Sequence, residues 1–393
     1  MKTKTITLLL ALTLACSMLT GCKTDDTLSE TSEPVAETII TDVAPVPDTD
    51  VNLHVGAKLP GQTPDDTGKE NALTDVEIIE ENHDGMYQSE LTNEWIDESI
   101  KNQRPIAVMV DNEVYALDHY GLTQADIVYE IMNSTANDEI TRFMALVKDW
   151  GNITRFGSIR SVRPTHFMLA PEYNAVLIHD GGPFYIKEYT GLPWINNLSG
   201  GFARIDNGKP REFTEYVTTG EVEARLEGNK YDKEYNDYYP GPHWKFADDK
   251  TPTDLSLADD SKSCTKIELP FPHNDSQLTY DAASNTYLYS EYGRAHVDPE
   301  NDNKQLAFTN VIIQCAECVQ LDENGYMKFN ITNRSGKGYF VTGGHAIPIT
   351  WEKGDDLDIT NYYDASGNEI MLNTGKTYIG FVATYRWEEL VIE

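Results

Sequence analysis

Two arginines stand three residues apart in "GSIRSVRPTHF" (Gly157 to Phe167), in a chain whose formal net charge is −33. A guanidinium is a planar, permanently charged fork that matches a carboxylate or a phosphate. Pro164 follows Arg163 directly. A residue before proline is held extended, and proline is preorganised for the first helical position. Arg163 is therefore expected at a helix N-cap and Arg160 in the loop before it, where two cations join unpaired backbone N–H groups to hold an anion. The competing expectation is internal pairing, with Asp111, Glu130 or Asp180 as the partner carboxylate. "VDN" supplies Asp111 and "HDGG" supplies His179, Gly181 and Gly182, each string closing an apolar run. If the two runs are parallel strands, their carboxyl ends and the arginine loop face one crevice, where ligands of α/β sheets collect. There His179 is either a general base beside Asp111 or a histidine satisfied by hydrogen bonds at a strand end.

A second cluster lies in "GRAHVD", with Arg294, His296 and Asp298. Alternation along a strand puts His296 and Asp298 on one side. Two ligands do not make a metal site, so no metal and no cofactor is assigned. Cys315 and Cys318 form a lone CxxC that follows a strand, with Glu317 opposing a thiolate; a local disulfide or a pairing with Cys264 is expected rather than redox catalysis. The chain has no GxSxG elbow, no HExxH, no phosphate loop and no paired CxxC sites. No motif fixes a reaction, and whether the protein is an enzyme stays open.

The elements that would position these residues follow from the hydrophobic pattern. "IAVMVDN", "ADIVYEIM", "EITRFMALVKDW" and "NAVLIHDGG" read as buried strands. "PTHFMLAPEY" reads as a short helix, and "REFTEYVTTGEVEARLE" (Arg211 to Glu227) has helical character. A polar, turn-rich stretch from Gly228 to Ser263 marks a boundary. Beyond it "CTKIELPF", "NTYLYSEYG", "FTNVIIQC", "YMKFNITN", "GKGYFVTGG", "HAIPITWEK" and "KTYIGFVATYRW" are strands with almost no helical signal. The fold class expected is α+β: an N-terminal α/β-type layered domain over 104–255, then a mostly β C-terminal domain over 262–393.

The N-terminus has the order of a lipoprotein signal. Lys2 and Lys4 precede an apolar stretch from Ile6 to Leu19, which closes in Leu19-Thr20-Gly21-Cys22. Residues 1–21 are read as the signal peptide and Cys22 as the site of lipidation. Residues 22–103, rich in Thr, Asp, Glu, Pro and Ser, are read as an acidic disordered tether, with "NEWIDESI" as a short helix at its end. The partner implied is the lipid bilayer, through lipidated Cys22, on the extracytoplasmic face of the cell membrane. So acidic a chain has no basic field with which to bind nucleic acid.

Several strings occur in a fixed order: "RPIAVMVDN", "GLTQADIVYE", "ITRFMAL", "GSIRSVRP", "AVLIHDGG", "GRAHVD", "FTNVIIQ", "GKGYFVTGGHAIPITWEK" and "NEIMLNTGKTYI". Together, over Arg104 to Ile379, they resemble the YerB-like lipoproteins of Gram-positive bacteria. The resemblance implies a lipobox followed by two domains of unknown function, and it implies no catalytic residues. "AEC" after "VIIQC" and Pro171 within the expected helix depart from that pattern. The leading expectation is a non-catalytic, membrane-anchored binding protein for an anionic envelope ligand, a peptide or a protein partner. The alternatives are an envelope hydrolase using the first-domain crevice, and an interaction lipoprotein whose arginines are paired internally.

Overall fold

The computed structural model describes residues 82–393. The signal segment, Cys22 and the tether up to residue 81 lie outside them. The first region contributes β1 (Ile106–Asp111), β2 (Ile127–Met132), β3 (Thr141–Val147), helix α1 (Pro164–Leu169), β4 (Val176–His179), β5 (Asn197–Ser199), β6 (Glu215–Thr218) and helix α2 (Glu221–Asn229). The second contributes β7 (Gln277–Asp281), β8 (Thr286–Glu291), β9 (Asn310–Gln320), β10 (Arg334–Thr342), β11 (His345–Lys353) and β12 (Thr377–Ala383), with shorter strands between them.

The two regions share one mixed sheet. From Lys262–Ser263 it runs β11, β10, β9, β12, β2, β3, β1, β4, β5. The join is β12, which lies parallel to β9 on one side and to β2 on the other. Every residue of β1, β2, β3, β4 and β12 is buried. This is why these strands read as continuous apolar runs: both faces of the sheet are covered. Ile106, Val108 and Val110 pack on one face with α2 and with the smaller sheet built around β7 and β8. Ala107 and Met109 pack on the other, with Phe167, Met168 and Leu169 of α1. The architecture is α+β and mostly β, as the hydrophobic pattern predicts.

Three local readings change. "REFTEYVTTGEVEARLE" is not one helix: Glu215–Thr218 pairs with Arg155–Gly157 and Ala203–Arg204, and the helix starts at Glu221. Glu215, Tyr216 and Val217 are all buried, so burial in a sheet outweighs helical propensity there. Pro171 removes a backbone donor, and α1 gives way after Leu169 to a 3-10 turn over Ala170–Tyr173. The ordered chain also begins upstream of Arg104. Met86–Gln88 pairs with Trp95–Asp97, Leu91 is buried, and Lys148 bonds Glu90 at 2.6 Å. "NEWIDESI" accordingly holds a strand and a 3-10 turn rather than a helix.

The join carries a buried carboxylate. Glu130 of β2 accepts hydrogen bonds from Asn112, Thr141, Asn274, Ser276, Tyr289 and Tyr378, at 2.7 to 3.2 Å. Four of those six donors belong to the second region. Burial raises the Glu130 carboxyl above its usual range, and the nearby Glu291 raises it further. Glu130→Ala would leave several buried donors unpaired, each costing about 1–3 kcal/mol. We expect Glu130→Ala to lose at least about 3 kcal/mol in equilibrium urea unfolding, and Tyr378→Phe, which deletes one donor, about 1 kcal/mol. Equal losses for the two would show that the carboxylate does not organise the join.

Candidate functional site

The arginine loop is held as a strand-like insert between β1 and the end of β4. Asp111 N–H donates to Ser158 and Arg160 N–H to Met109, while Asp180 N–H donates to Arg160 and Val162 N–H to Gly181. β1 and β4 are parallel, as the crevice argument required. Because the insert occupies the space between their ends, Asp111 and His179 fall on opposite sides of it.

Asp111, Arg160 and Arg163 line a cavity of about 480 Å³ together with Arg142, Asn133, Glu113, Glu212, Tyr115, Ile140, Pro210 and Phe213. Arg160 forms ion pairs with Asp111 and with Glu212, the latter at 3.1 Å. Its guanidinium stands 5.6 Å from the Phe213 ring centre. Arg163 is the N-cap of α1, extended at φ −129°, with Pro164 at the first helical position. Its Nε donates to the Asn133 carbonyl at 3.0 Å and its Nη1 to the Val162 carbonyl at 2.9 Å. α1 spans only six residues, so the expected contribution of a helix dipole is small and the guanidiniums dominate the local field.

Arg142 of β3 escaped the sequence reading. It sits opposite Asp111 in the register of β1 and β3, and its Nη1 donates to the Ser161 carbonyl at 2.7 Å while its Nε has no hydrogen-bond partner. A strand of alternating polar and apolar type would have exposed it, but "ITRFMAL" shows only an arginine in an apolar run. Arg142 and Arg163 are each only 6% exposed, and among the described residues neither forms an ion pair with a carboxylate. Burial lowers Arg142 to about 10, a shift that Asp111 opposes. Burial, and after it the Arg142 charge, lowers Arg163 to about 9. Both guanidiniums stay protonated at neutral pH, so the cavity floor holds two buried cations stabilised mainly by backbone carbonyls.

His179, Gly181 and Gly182 do not reach this cavity. His179 is buried, with Nδ1 2.8 Å from the Gly181 carbonyl, Nε2 3.2 Å from Asn197 Oδ1 and its ring edge-on to Phe167. Both ring nitrogens are committed to the strand end. Gly181 has φ +77°, the left-handed region that glycine favours. A side chain at Gly182 would meet Ile186 Cδ1 at 2.6 Å, so that glycine serves packing.

The second cluster separates. Arg294 reaches Asp118 at 3.0 Å on the surface. Asp298 accepts from the N–H groups of Gly121, Thr123 and Glu300 and from the Thr123 hydroxyl. His296 Nδ1 binds Glu291 at 2.7 Å and its Nε2 lies 3.3 Å from His119 Nδ1. The chain changes partners at His296: Arg294–Ala295 pairs with β8, whereas Val297–Asp298 pairs with Lys304–Gln305. Glu291, His296 and His119 therefore make a buried hydrogen-bonded row whose facing imidazole nitrogens bond each other. Cys315 and Cys318 are free thiols, as is Cys264. Cys315 and Cys318 lie three residues apart along β9, and extended geometry carries them to opposite faces, so they do not bridge.

Arg163 is held at the cavity by His166, whose Nδ1 accepts from the Arg163 N–H at 2.9 Å. Burial, then the Arg163 charge, lowers His166 to about 3. A histidine with a depressed folded pKa contributes stability that is present above about 6.5 and lost as pH falls toward 3, at about 1.4 kcal/mol per pH unit. We expect His166→Gln, which keeps an acceptor at that place, to show a shallower loss of urea stability between pH 6.5 and 5.5, by about 1 kcal/mol. An unchanged slope would mean that His166 is protonated in the fold.

Comparison with known proteins agrees with this architecture. Residues 91–232 match the family model described as "Protein of unknown function (DUF3048) N-terminal domain", and residues 267–379 match its C-terminal counterpart. The chain is 25% identical over 313 residues to "Putative lipoprotein YerB" of Bacillus subtilis (strain 168), covering 77% of this chain and 85% of the relative. The crystal structure of YerB protein from Bacillus subtilis superposes with a TM-score of 0.64 at 21% identity, over 78% of this chain and 99% of that one. The two-domain pattern, the order of its motifs and the likeness to YerB thus converge: the chain belongs to the two-domain DUF3048 family and is YerB-like.

Proposed function

We propose that the protein is a lipid-anchored binding protein on the extracytoplasmic face of the membrane, and that its ligand is an anion seated on Arg142 and Arg163. The anchoring is supported by the Leu19-Thr20-Gly21-Cys22 string behind a Lys2/Lys4 leader, and by the relative named a putative lipoprotein. Among the described residues no helix is long and apolar enough to cross a membrane.

One observation carries the ligand reading: among the described residues, two buried guanidiniums line a cavity without an ion-paired carboxylate of their own. Buried arginine normally has an anionic partner, because desolvation of the charge is costly. Arg160 has such partners in Asp111 and Glu212, which accords with internal pairing and makes it a wall of the cavity rather than its recognition element. Asp111 is likewise engaged, and His179 is held outside the cavity.

Benzoate is a suitable probe, since a carboxylate on a ring suits both the arginines and the Phe213 wall. Ligand-observed NMR on the full-length protein in detergent should detect its binding. Arg142→Lys should weaken it at least tenfold, because lysine lacks the bidentate fork. Affinity unaltered in both Arg142→Lys and Arg163→Lys, with the fold intact by circular dichroism, would reject the site.

A further inference from the structure

The cavity holds more than cations. Asn133 is fully buried, and neither its side-chain N–H₂ nor its side-chain carbonyl oxygen has a hydrogen-bond partner among the described residues. Its main chain is fully used: the N–H donates to Ile140, and the carbonyl accepts from Met327 N–H and Arg163 Nε. Asn133 is among the residues that line the same cavity as Arg142 and Arg163. A buried donor and a buried acceptor left open on one side chain each cost about 1–3 kcal/mol. A leucine of similar size would avoid that cost, so the amide is suited to a ligand group that presents an acceptor and a donor together.

A volume of about 480 Å³ far exceeds a bare carboxylate or phosphate. The rest of the wall carries the carboxylates of Asp111 and Glu212, both paired with Arg160, and of Glu113, and beside them an apolar, aromatic patch: Ile140, Pro210, Phe213 and the exposed Tyr115, whose ring centre lies 6.4 Å from that of Phe213. The ligand that fits has an anionic head, an amide beside it and an apolar body. Building on the anion reading, we infer that the cavity takes the C-terminus of a peptide. The terminal carboxylate lies on Arg142 and Arg163, the last peptide N–H donates to Asn133 Oδ1 while Asn133 Nδ2 donates to a carboxylate oxygen across the same α-carbon, and the terminal side chain lies against Phe213 and Tyr115. A terminal carboxylate and the last amide are joined through a single α-carbon, which matches adjacent recognition groups on one cavity floor.

Four probes separate the parts of this inference: N-acetyl-Ala-Phe as the free acid, its C-terminal carboxamide, its ester analogue with oxygen in place of the last amide N–H, and 3-phenylpropanoate. Affinities are read by calorimetry on the full-length protein in detergent. The free acid should bind at least tenfold more tightly than each of the other three. In Asn133→Leu the free acid and its ester analogue should bind within about twofold of each other, while 3-phenylpropanoate is unaffected within that range. The ligand-side ester comparison stands even if the variant fails to fold. If 3-phenylpropanoate or the ester analogue binds as tightly as the free acid, the peptide inference is overturned while the anion reading survives. If the carboxamide matches the free acid, or no probe binds at millimolar concentration, both readings fail.

Discussion

The carboxylate of Glu130 sits where the two halves of the chain become one sheet. β2 brings it from the first region; Asn274, Ser276, Tyr289 and Tyr378 come to it from the second. Buried, it is tolerable only while those donors surround it. Tyr378 belongs to β12, the strand that pairs with β2, so the hydrogen bonds and the strand register specify each other. A second buried pair repeats the device: Glu172 of the first region meets Lys353 of β11 at 3.1 Å and accepts from the N–H and hydroxyl of Thr360. Polar complementarity thus makes the join specific, where apolar packing alone would tolerate sliding.

The rigidity of this sheet fixes the cavity. β1 and β3 set Asp111 opposite Arg142, and the insert from Ser158 to Val162 hangs on β1 and β4 through backbone hydrogen bonds. His166 then locks Arg163 at the start of α1. Backbone and neutral side chains do the positioning, so the guanidiniums of Arg142 and Arg163 are not neutralised by their own scaffold. Glu130 and Arg163 present opposite cases of a buried ionisable group. The first is surrounded by six donors and holds the fold. The second is supported by two carbonyls and the face of Tyr326, 4.7 Å away, with no ion-paired carboxylate among the described residues.

Much of this was legible in the chain. Each strand of the central sheet reads as an apolar run, and proline after Arg163 placed that residue at a helix start with extended backbone. Motif order identified the family over nearly all the folded chain. The failures have physical causes. "TEYVT" lies within a stretch of helical propensity, and only its burial in a three-stranded sheet makes it β. Residues 82–103 look like the acidic tether upstream because the groups that order them, Lys148 and Tyr235, are distant in sequence.

The sequence by itself determined the acidity, the strand list of the central sheet and the extended N-cap geometry of Arg163, since these depend on composition, periodicity and proline geometry. Tertiary structure alone decided which arginines pair with carboxylates and which, among the described residues, meet only carbonyls and rings. It placed Arg142 beside Arg163, committed Arg160 to Asp111, separated His179 from both, and left Asn133 buried with an open amide. Those outcomes depend on which strands are neighbours and on an insert that passes between two of them. Contacts between residues so far apart in the chain carry no local signal.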